Sequence, residues 1–547
     1  MEQIYHFLEP YLIPILSIHF LILIIFLFLN LKDIKNQFHK IDKKVWAFLL
    51  VIFLFGFSLR SESFHSSYVA YYHGGYPFEE YALWLQKTGR MYSHCNFGSY
   101  EECFDYEPTN APPGYPFLIM LSYSIFGFNT LYANYISDLC SSLTIILVFL
   151  ISYLLTKREE IGLYSAILYA MVPLSIFHAS IPNARSVSVF FIALAVLAYL
   201  ISLKTNKLKS WILFVILFSY SVYIRQENLI MLIVFILGLF IFNFFKDKKI
   251  KNIYTSLGKL FSIIVIFVLL QLFVQSLIIY KPIGLREIEP FWGNEIRYFV
   301  SYIPSGILKN GAVLFNQYPP EIIEMNAILY NPVVTILFLI GIILLIKSDF
   351  RKEKLFIIAW FLVYFLLFSF IYYCEFDMEL CSAYLRNSLQ FQLPYVILAS
   401  FALFKIRKSL RVDKNLFILA ILIMVFVTSG LHMPTTLFKD SRFLGLEEFV
   451  AALKRTPDNC TIISPLLFTA RSDVIKNNHR ISIQIYRFEE YFDIDKIGKD
   501  ACIVFLRDEN LEDVYSGDYA YIENTFNLKF LFREGSIEVY NATLEIV

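Results

Sequence analysis

The chain has 547 residues and a formal net charge of +1, and 57% of its residues are hydrophobic against 17% charged. A mean hydropathy of +0.58 excludes an ordinary water-soluble globule, and near-neutral charge with basic residues confined to short clusters excludes a nucleic-acid-binding protein. A bilayer core of ~30 Å takes about 20 apolar helical residues to cross; such runs recur everywhere but the C-terminal part, without the alternation of a transmembrane barrel.

The first run, residues 11–30, follows an acidic start without a small-residue cleavage pattern, so it reads as a retained span and not as a removable signal peptide. Lys32, Lys35, Lys40, Lys43 and Lys44 come next. Positive charge marks the cytoplasmic flank of a span, which puts the N-terminus outside. Further basic clusters at 157–158, 204–209, 246–251, 347–354 and 405–414 belong to the same side, so the chain must cross an even number of times between them. That parity divides 211–245 into a hairpin turning at 224–228, and it denies a crossing to 116–128, which reads as a re-entrant or interfacial helix. The predicted spans are 11–30, 45–60, 131–155, 161–180, 186–203, 210–223, 228–245, 256–280, 332–347, 355–373, 389–405 and 414–431. The fold class is thus an α-helical polytopic membrane protein with about 12 transmembrane helices. Its long outer segments are 61–130, 281–331 and the tail after Leu431.

Residues 1–433 form the membrane domain, and 434–547 a small extracytoplasmic α/β domain. In the tail, 444–453 reads as an amphipathic helix, 461–463, 481–486 and 501–506 as strands, and 530–532 with 537–539 as a closing hairpin. Cys95/Cys103, Cys374/Cys381 and Cys460/Cys502 all fall outside and are candidate disulfides for an oxidising compartment, with free buried thiols as the alternative. Asp493 and Asp495 read as a solvated acidic pair.

The loop 61–130 concentrates candidate chemistry. Pro77 can open a helix whose apolar stripe is Phe78, Tyr81, Ala82 and Leu85, as expected of a helix lying in the membrane interface. Glu79 and Glu80 sit in its first turn. They are candidate general bases near a lipid-borne substrate, or simply acids that complement the helix dipole. Asp105 and Glu107 follow in the half of the loop that looks disordered. Arg185 and Arg225 fall at outer turns and Arg386 at the outer mouth of a span; a guanidinium there suits a phosphate, although headgroup anchoring or pairing with Glu227 or Glu375 explains any one of them. Asp138 lies within a span and should face a polar interior.

The series Glu80-Tyr81-Ala82 with Gly89, then Pro112-Pro113-Gly114-Tyr115-Pro116 leading to Ile125-Phe126-Gly127, resembles the first outer loop of the GT-C glycosyltransferases. The nearest groups are the protein O-mannosyltransferases and lipid A aminoarabinose transferases. Tyr169-Ala170-Met171-Val172-Pro173, then 224–229, then Tyr384-Leu385-Arg386 before Leu393-Pro394 follow in the same order, over residues 45–430. The resemblance implies transfer of a monosaccharide from a polyprenyl-phosphate carrier to a glycan, lipid or protein acceptor outside the cytoplasm. A loop carboxylate would take the acceptor proton, with inversion at the anomeric carbon. It implies Glu80 or Glu79 as base, and Arg386, Arg225, Arg185, Asp105, Glu107, Tyr115 and Asp138 as substrate-binding residues, in a prokaryotic cell membrane with the active site and C-terminus outside.

Three departures bear on those assignments. The family's loop aspartate commonly precedes the matching tyrosine by four positions, where this chain has Pro77. A lysine found before the paired prolines in some relatives is replaced by Asn110-Ala111, which leaves phosphate to the arginines. Residues 11–30 add a span ahead of the usual start. The oligosaccharyltransferase signature of two tryptophans, aspartate, tyrosine and glycine is missing, which disfavours transfer of a whole oligosaccharide. No cofactor is expected and no metal-ligand spacing is evident, since His73 and His94 lack a third ligand; a divalent cation is left open. Partners are the lipid-linked donor, its acceptor and membrane lipids. A transporter or lipid flippase and a non-catalytic scaffold are the competing readings. Charges gathered in outer loops, with no internal repeat, argue against transport.

Overall fold

A computed structural model of the chain describes residues 12–61, 78–89, 92–98, 103–108, 112–129, 131–180, 184–244, 330–346, 351–370, 389–409, 414–430, 446–457, 460–464, 480–481, 502–509 and 512–544, with Pro182 and Leu314. The helices are α1 (Leu12–Phe38), α2 (Lys43–Ser61), α3 (Phe78–Thr88), α4 (Gly114–Phe126), α5 (Leu131–Thr156), α6 (Glu159–Met171), α7 (Pro173–Ser180), α8 (Ala184–Thr205), α9 (Leu208–Ile224), α10 (Met231–Phe244), α11 (Pro332–Ile346), α12 (Arg351–Phe370), α13 (Gln392–Ser409), α14 (Lys414–Gly430), α15 (Leu446–Arg455) and α16 (Glu512–Thr525). Each predicted span coincides with helix, except 256–280, which lies outside the described residues. Leu12–Phe38, Lys43–Ser61, Leu131–Thr156, Ala184–Thr205 and Leu389–Ser409 are long and apolar enough to cross a membrane, while Gly114–Phe126, Leu208–Ile224 and Pro332–Ile346 are shorter apolar helices.

Burial separates the surface that meets lipid from the core. α1 turns Ile18, Leu21 and Phe28 outward, and α2 does the same with Phe48, Val51 and Leu54. His19, Asn30 and Asp33 of α1 face inward instead. His19 Nε2 lies 3.1 Å from the Ile216 carbonyl, and Asn30 Nδ2 donates to the Lys209 carbonyl at 3.1 Å. Apolar groups outside and satisfied polar groups inside invert the arrangement of a soluble bundle, as a hydrocarbon solvent requires.

The basic clusters converge on one end of the bundle. Lys207 and Lys209 reach Asp33 at 2.6 and 2.9 Å, the Asp42 amide donates to Glu159 Oε1 at 3.1 Å, and Lys204 Nζ donates to the Leu154 carbonyl beside Lys157 at 2.8 Å. Arg407 pairs with Glu160 at 2.9 Å, and Lys352 stands over the Phe242 ring near the end of α10. These contacts bring the described parts of the clusters to the same end of the bundle.

At the C-terminus a mixed sheet has the order β2-β1-β4-β3-β5-β7-β6. β3 (Thr461–Ile463) runs parallel to both β4 (Arg480–Ile481) and β5 (Ile503–Asp508), and β7 (Ile537–Leu544) runs antiparallel to β5 and β6 (Phe526–Glu534). Cys460 and Cys502 form a disulfide at the starts of β3 and β5, where the Thr461 amide donates to the Cys502 carbonyl at 2.7 Å. Ile463, Ile503, Phe505, Tyr519, Ile522 and Phe526 form its core. The helix α16, which supplies Tyr519 and Ile522, has no counterpart in the sequence reading. Of the predicted strand 481–486, residues 482–486 lie outside the described residues, as do Asp493 and Asp495.

The sheet also takes in β1 (Tyr92–Gly98) and β2 (Cys103–Pro108) from the loop after α2, which pair antiparallel. Gly98 of β1 pairs with Ile481 of β4. Within the half of the loop that reads as disordered, Tyr92–Gly98 and Cys103–Pro108 are therefore strand, and they belong to the sheet of the tail.

Candidate active site

The site lies at the end opposite the basic clusters, and a buried cation underpins it. Pro173 has no N–H, so the helix through Tyr169 breaks at Val172 and the Tyr169 carbonyl loses its i+4 donor. Arg60, in the last turn of α2 and fully buried, supplies donors there. Its Nη2 donates to the Tyr169 carbonyl at 3.3 Å and to Ser175 Oγ at 2.9 Å. Nη1 donates to the Ala170 and Gly56 carbonyls at 3.2 and 2.8 Å, and Nε to Ser141 Oγ at 2.9 Å. A guanidinium has five N–H donors and all are used, so this arginine is architecture and not a substrate ligand. Asp138 of α5 is buried, accepts from Ser142 Oγ at 3.0 Å and acts on the Arg60 charge. It therefore faces a polar interior as expected, as a counter-charge.

One residue before Asp138, Ser137 Oγ meets the Tyr115 hydroxyl at 2.8 Å, and that hydroxyl also donates to the Ala133 carbonyl at 2.8 Å. Tyr115 thus ties the start of α4 to α5. Its ring packs edge-on against Phe78 at 5.0 Å and lies within electrostatic range of Glu79, so the first turn of α3 rests on it. Phe78 through Leu85 are all buried, while Gln86 and Lys87 are exposed. α3 is enclosed by protein on every side over that stretch, and does not present one apolar stripe to a membrane interface. Both glutamates are buried, with Glu80 Oε1 at 3.5 Å from Trp84 Nε1. Carboxylates at a helix N-terminus retain favourable interaction with the dipole even when withdrawn from water.

The arginines come from the far side of the same corner. A Cβ on Gly114 would lie 2.8 Å from the Tyr223 carbonyl carbon and oxygen and 2.9 Å from the Ile224 nitrogen, so only glycine lets α4 meet the end of α9. Tyr220 OH donates to the Gly114 carbonyl at 3.1 Å. One residue along each strand of that contact stand Tyr115 and Arg225. Arg225 grips Glu227 through Nη2 at 2.5 Å and Nε at 3.2 Å. Arg185, buried at the start of α8, acts on Glu227 as well. Burial alone would raise the Glu227 carboxyl, but Arg225, then a hydrogen bond from its own backbone amide, then Arg185 together outweigh it, and the net shift is downward. Beneath this turn Asn228 Nδ2 donates to Ser188 Oγ at 2.8 Å and to the Ser221 carbonyl at 2.7 Å, and Gln390 Nε2 donates to Ser188 Oγ at 3.0 Å.

The structure therefore brings Glu79, Glu80, Tyr115, Arg185 and Arg225 to one corner, with Asp138 behind Tyr115. Asp105 and Glu107 are placed on β2, in register with Phe97 and His94. Arg386 lies outside the described residues; the turn Leu389–Phe391 that follows it carries Gln390. Sequence reasoning missed the Arg60 clasp, although an arginine ending an apolar span together with a Val-Pro break inside another is a readable signal. Among the described residues, no three His, Cys, Asp or Glu side chains come together as a metal site.

Residues 110–271 match the family model of the dolichyl-phosphate-mannose-protein mannosyltransferases. The Pro-Pro-Gly-Tyr-Pro, Tyr-Ala-Met-Val-Pro and Arg225 motifs fall inside that segment, while Glu79 and Glu80 precede it. Over nearly its whole length the chain also superposes on two kinds of solved enzyme. ArnT from Cupriavidus metallidurans bound to undecaprenyl phosphate matches with a TM-score of 0.56 and 10% identity over 91% of this chain and 98% of that one. The Archaeoglobus fulgidus oligosaccharyltransferase with a tethered acceptor peptide matches with a TM-score of 0.54 and 12% identity over 93% and 75%. The chain has the GT-C fold. The same archaeal enzyme, AglB, in complex with an inhibitory peptide and a dolichol-phosphate gives a TM-score of 0.53 at 11% identity, over 93% and 75%. No curated protein sequence matches the chain. The resemblance to the protein mannosyltransferases is thus met over residues 110–271, and the structural neighbours include proteins solved with undecaprenyl phosphate and with dolichol-phosphate.

Proposed function

We propose that the protein is a membrane glycosyltransferase that moves a monosaccharide from a polyprenyl-phosphate carrier to a glycan, lipid or protein acceptor on the outer side of a prokaryotic membrane. The observation that carries this reading is the close contact of Gly114 with Tyr223 and Ile224, which sets a turn of buried carboxylates across from a pair of arginines. Glu79 or Glu80 takes the proton of the acceptor hydroxyl, and the oxygen attacks the anomeric carbon with inversion. The lipid phosphate leaves as an anion, which needs charge stabilisation in place of a strong acid. Arg225 is bound by Glu227 in a two-bond grip of the kind a phosphate can replace, with Arg185 close by and Arg386 assigned to the same role. The undecaprenyl phosphate of ArnT and the dolichol-phosphate of AglB support a lipid-linked donor.

Proteoliposomes supplied with a panel of radiolabelled polyprenyl-phosphate monosaccharides and a membrane extract as acceptor test the reading. Wild-type protein should transfer label. The Glu79→Gln/Glu80→Gln variant should be slower by about 10²–10⁴-fold, the usual contribution of a general base. Transfer undiminished in the variant would remove these carboxylates from the mechanism.

A further inference from the structure

We infer that the C-terminal domain positions the carboxylate helix α3 through the β1–β2 hairpin, so that the first loop and the tail act as one unit at the active site. The inference deepens the proposed function and rests on its reading of Glu79 and Glu80. Residues 89–91 alone join α3 to β1, a link that spans at most ~10 Å. Gly89 closes the helix in the left-handed region, at φ +75°, with its amide on the Leu85 carbonyl at 3.0 Å. Whatever holds β1 therefore holds the C-terminal end of α3.

An isolated two-stranded hairpin is marginal in water, and a third strand on one side is what makes it persist. Here that strand is β4 of the tail, through the pairing of Gly98 with Ile481. β4 in turn pairs with β3, which the Cys460–Cys502 disulfide staples to β5. At the other end of α3, Phe78 is seated on Tyr115, which α5 holds. The helix that carries the carboxylates is thus fixed at its N-terminal end by the membrane bundle and at its C-terminal end by the tail sheet. An acceptor that shifts the tail would shift the base with it. In this arrangement Ile481 and Gly98 are positioning residues, and neither touches the reacting atoms.

Hydrogen–deuterium exchange on the full chain in lipid nanodiscs tests this, comparing wild type with Ile481→Pro and with Gly98→Pro. Each variant removes an amide from the joint, one on the tail side and one on the hairpin side. Both should speed exchange in 92–98 and in α3 by about tenfold, the effect of losing one or two net hydrogen bonds, and leave α5 unchanged. Where transfer is measurable, kcat should fall by a similar factor while KM for the lipid donor holds. Unchanged exchange in β5–β7 shows that the tail of Ile481→Pro is still folded; if it rises there, Gly98→Pro decides alone. Unchanged exchange in α3 would overturn the inference. If wild-type protein transfers no sugar, the proposed function fails, and the exchange comparison still decides whether tail and helix are coupled.

Discussion

Arg60 and Arg225 sit at the same end of the bundle and have opposite surroundings. Arg60 is sealed between α2, α5 and the α6–α7 break, with its donors on two serines and three carbonyls that cannot leave. Arg225 stands on a short turn between α9 and α10 and is held by a carboxylate two residues away. A guanidinium fixed by backbone carbonyls repairs a helix. On the proposed function, one held by a side-chain carboxylate exchanges it for a phosphate. Burial and charge do not distinguish an architectural arginine from a ligand; the kind of acceptor does.

The largest effect should come from breaking the sealed member. Arg60→Ala leaves the carbonyls buried without their donor and Asp138 without its counter-charge, and should destabilise the bundle by about 3–5 kcal/mol, read as thermal unfolding in detergent; a loss under about 1 kcal/mol would place Arg60 in a wet site. Next is the contact that joins the two sides of the corner. Gly114→Ala puts a methyl against the Tyr223 carbonyl and should cost about 1–3 kcal/mol, with a fall in transfer, because backbone and not a flexible side chain must move.

Glu227→Gln should cost only about 1 kcal/mol of stability while changing the apparent affinity for the lipid donor, since it releases Arg225; an unaltered donor KM would remove Arg225 from the phosphate site. The same variant has a pH signature. The Glu227 carboxyl is held below its ordinary value, so its contribution is present above the ordinary glutamate range and is lost as pH falls through the lowered value. Wild-type stability should therefore decline on the acid side more steeply than that of Glu227→Gln. The smallest change belongs to the opposite end, where Lys207→Ala removes a half-exposed partner of Asp33 and should alter stability by about 0–1 kcal/mol.

Much of the helical frame was legible because hydrocarbon imposes a length and charge imposes a side. The basic clusters on α1–α2, α5–α6, α8–α9 and α13 meet at one end because each was flanked by enough apolar sequence to cross. The short α4 was legible as a helix from its apolar run. The candidate site was legible only in part. Glu79, Glu80, Arg185 and Arg225 were found as residue types near span ends, but their burial was not. The amphipathic spacing of α3 suggested a membrane surface, and protein packing on all sides overrode it.

What the sequence determined by itself was the solvent, the approximate spans, the grouping of basic residues at span ends, α/β character in the tail and a first loop resembling that of the GT-C enzymes. These follow from local composition and spacing, which the chain carries without folding. The tertiary structure alone decided that Arg60 caps a proline break 110 residues away, that Gly114 joins the carboxylate side to the arginine side, and that β1–β2 belongs to the tail sheet. Each of these is a contact between segments distant in the chain and met largely by backbone groups that every residue has, so the order of side chains does not say which segment meets which.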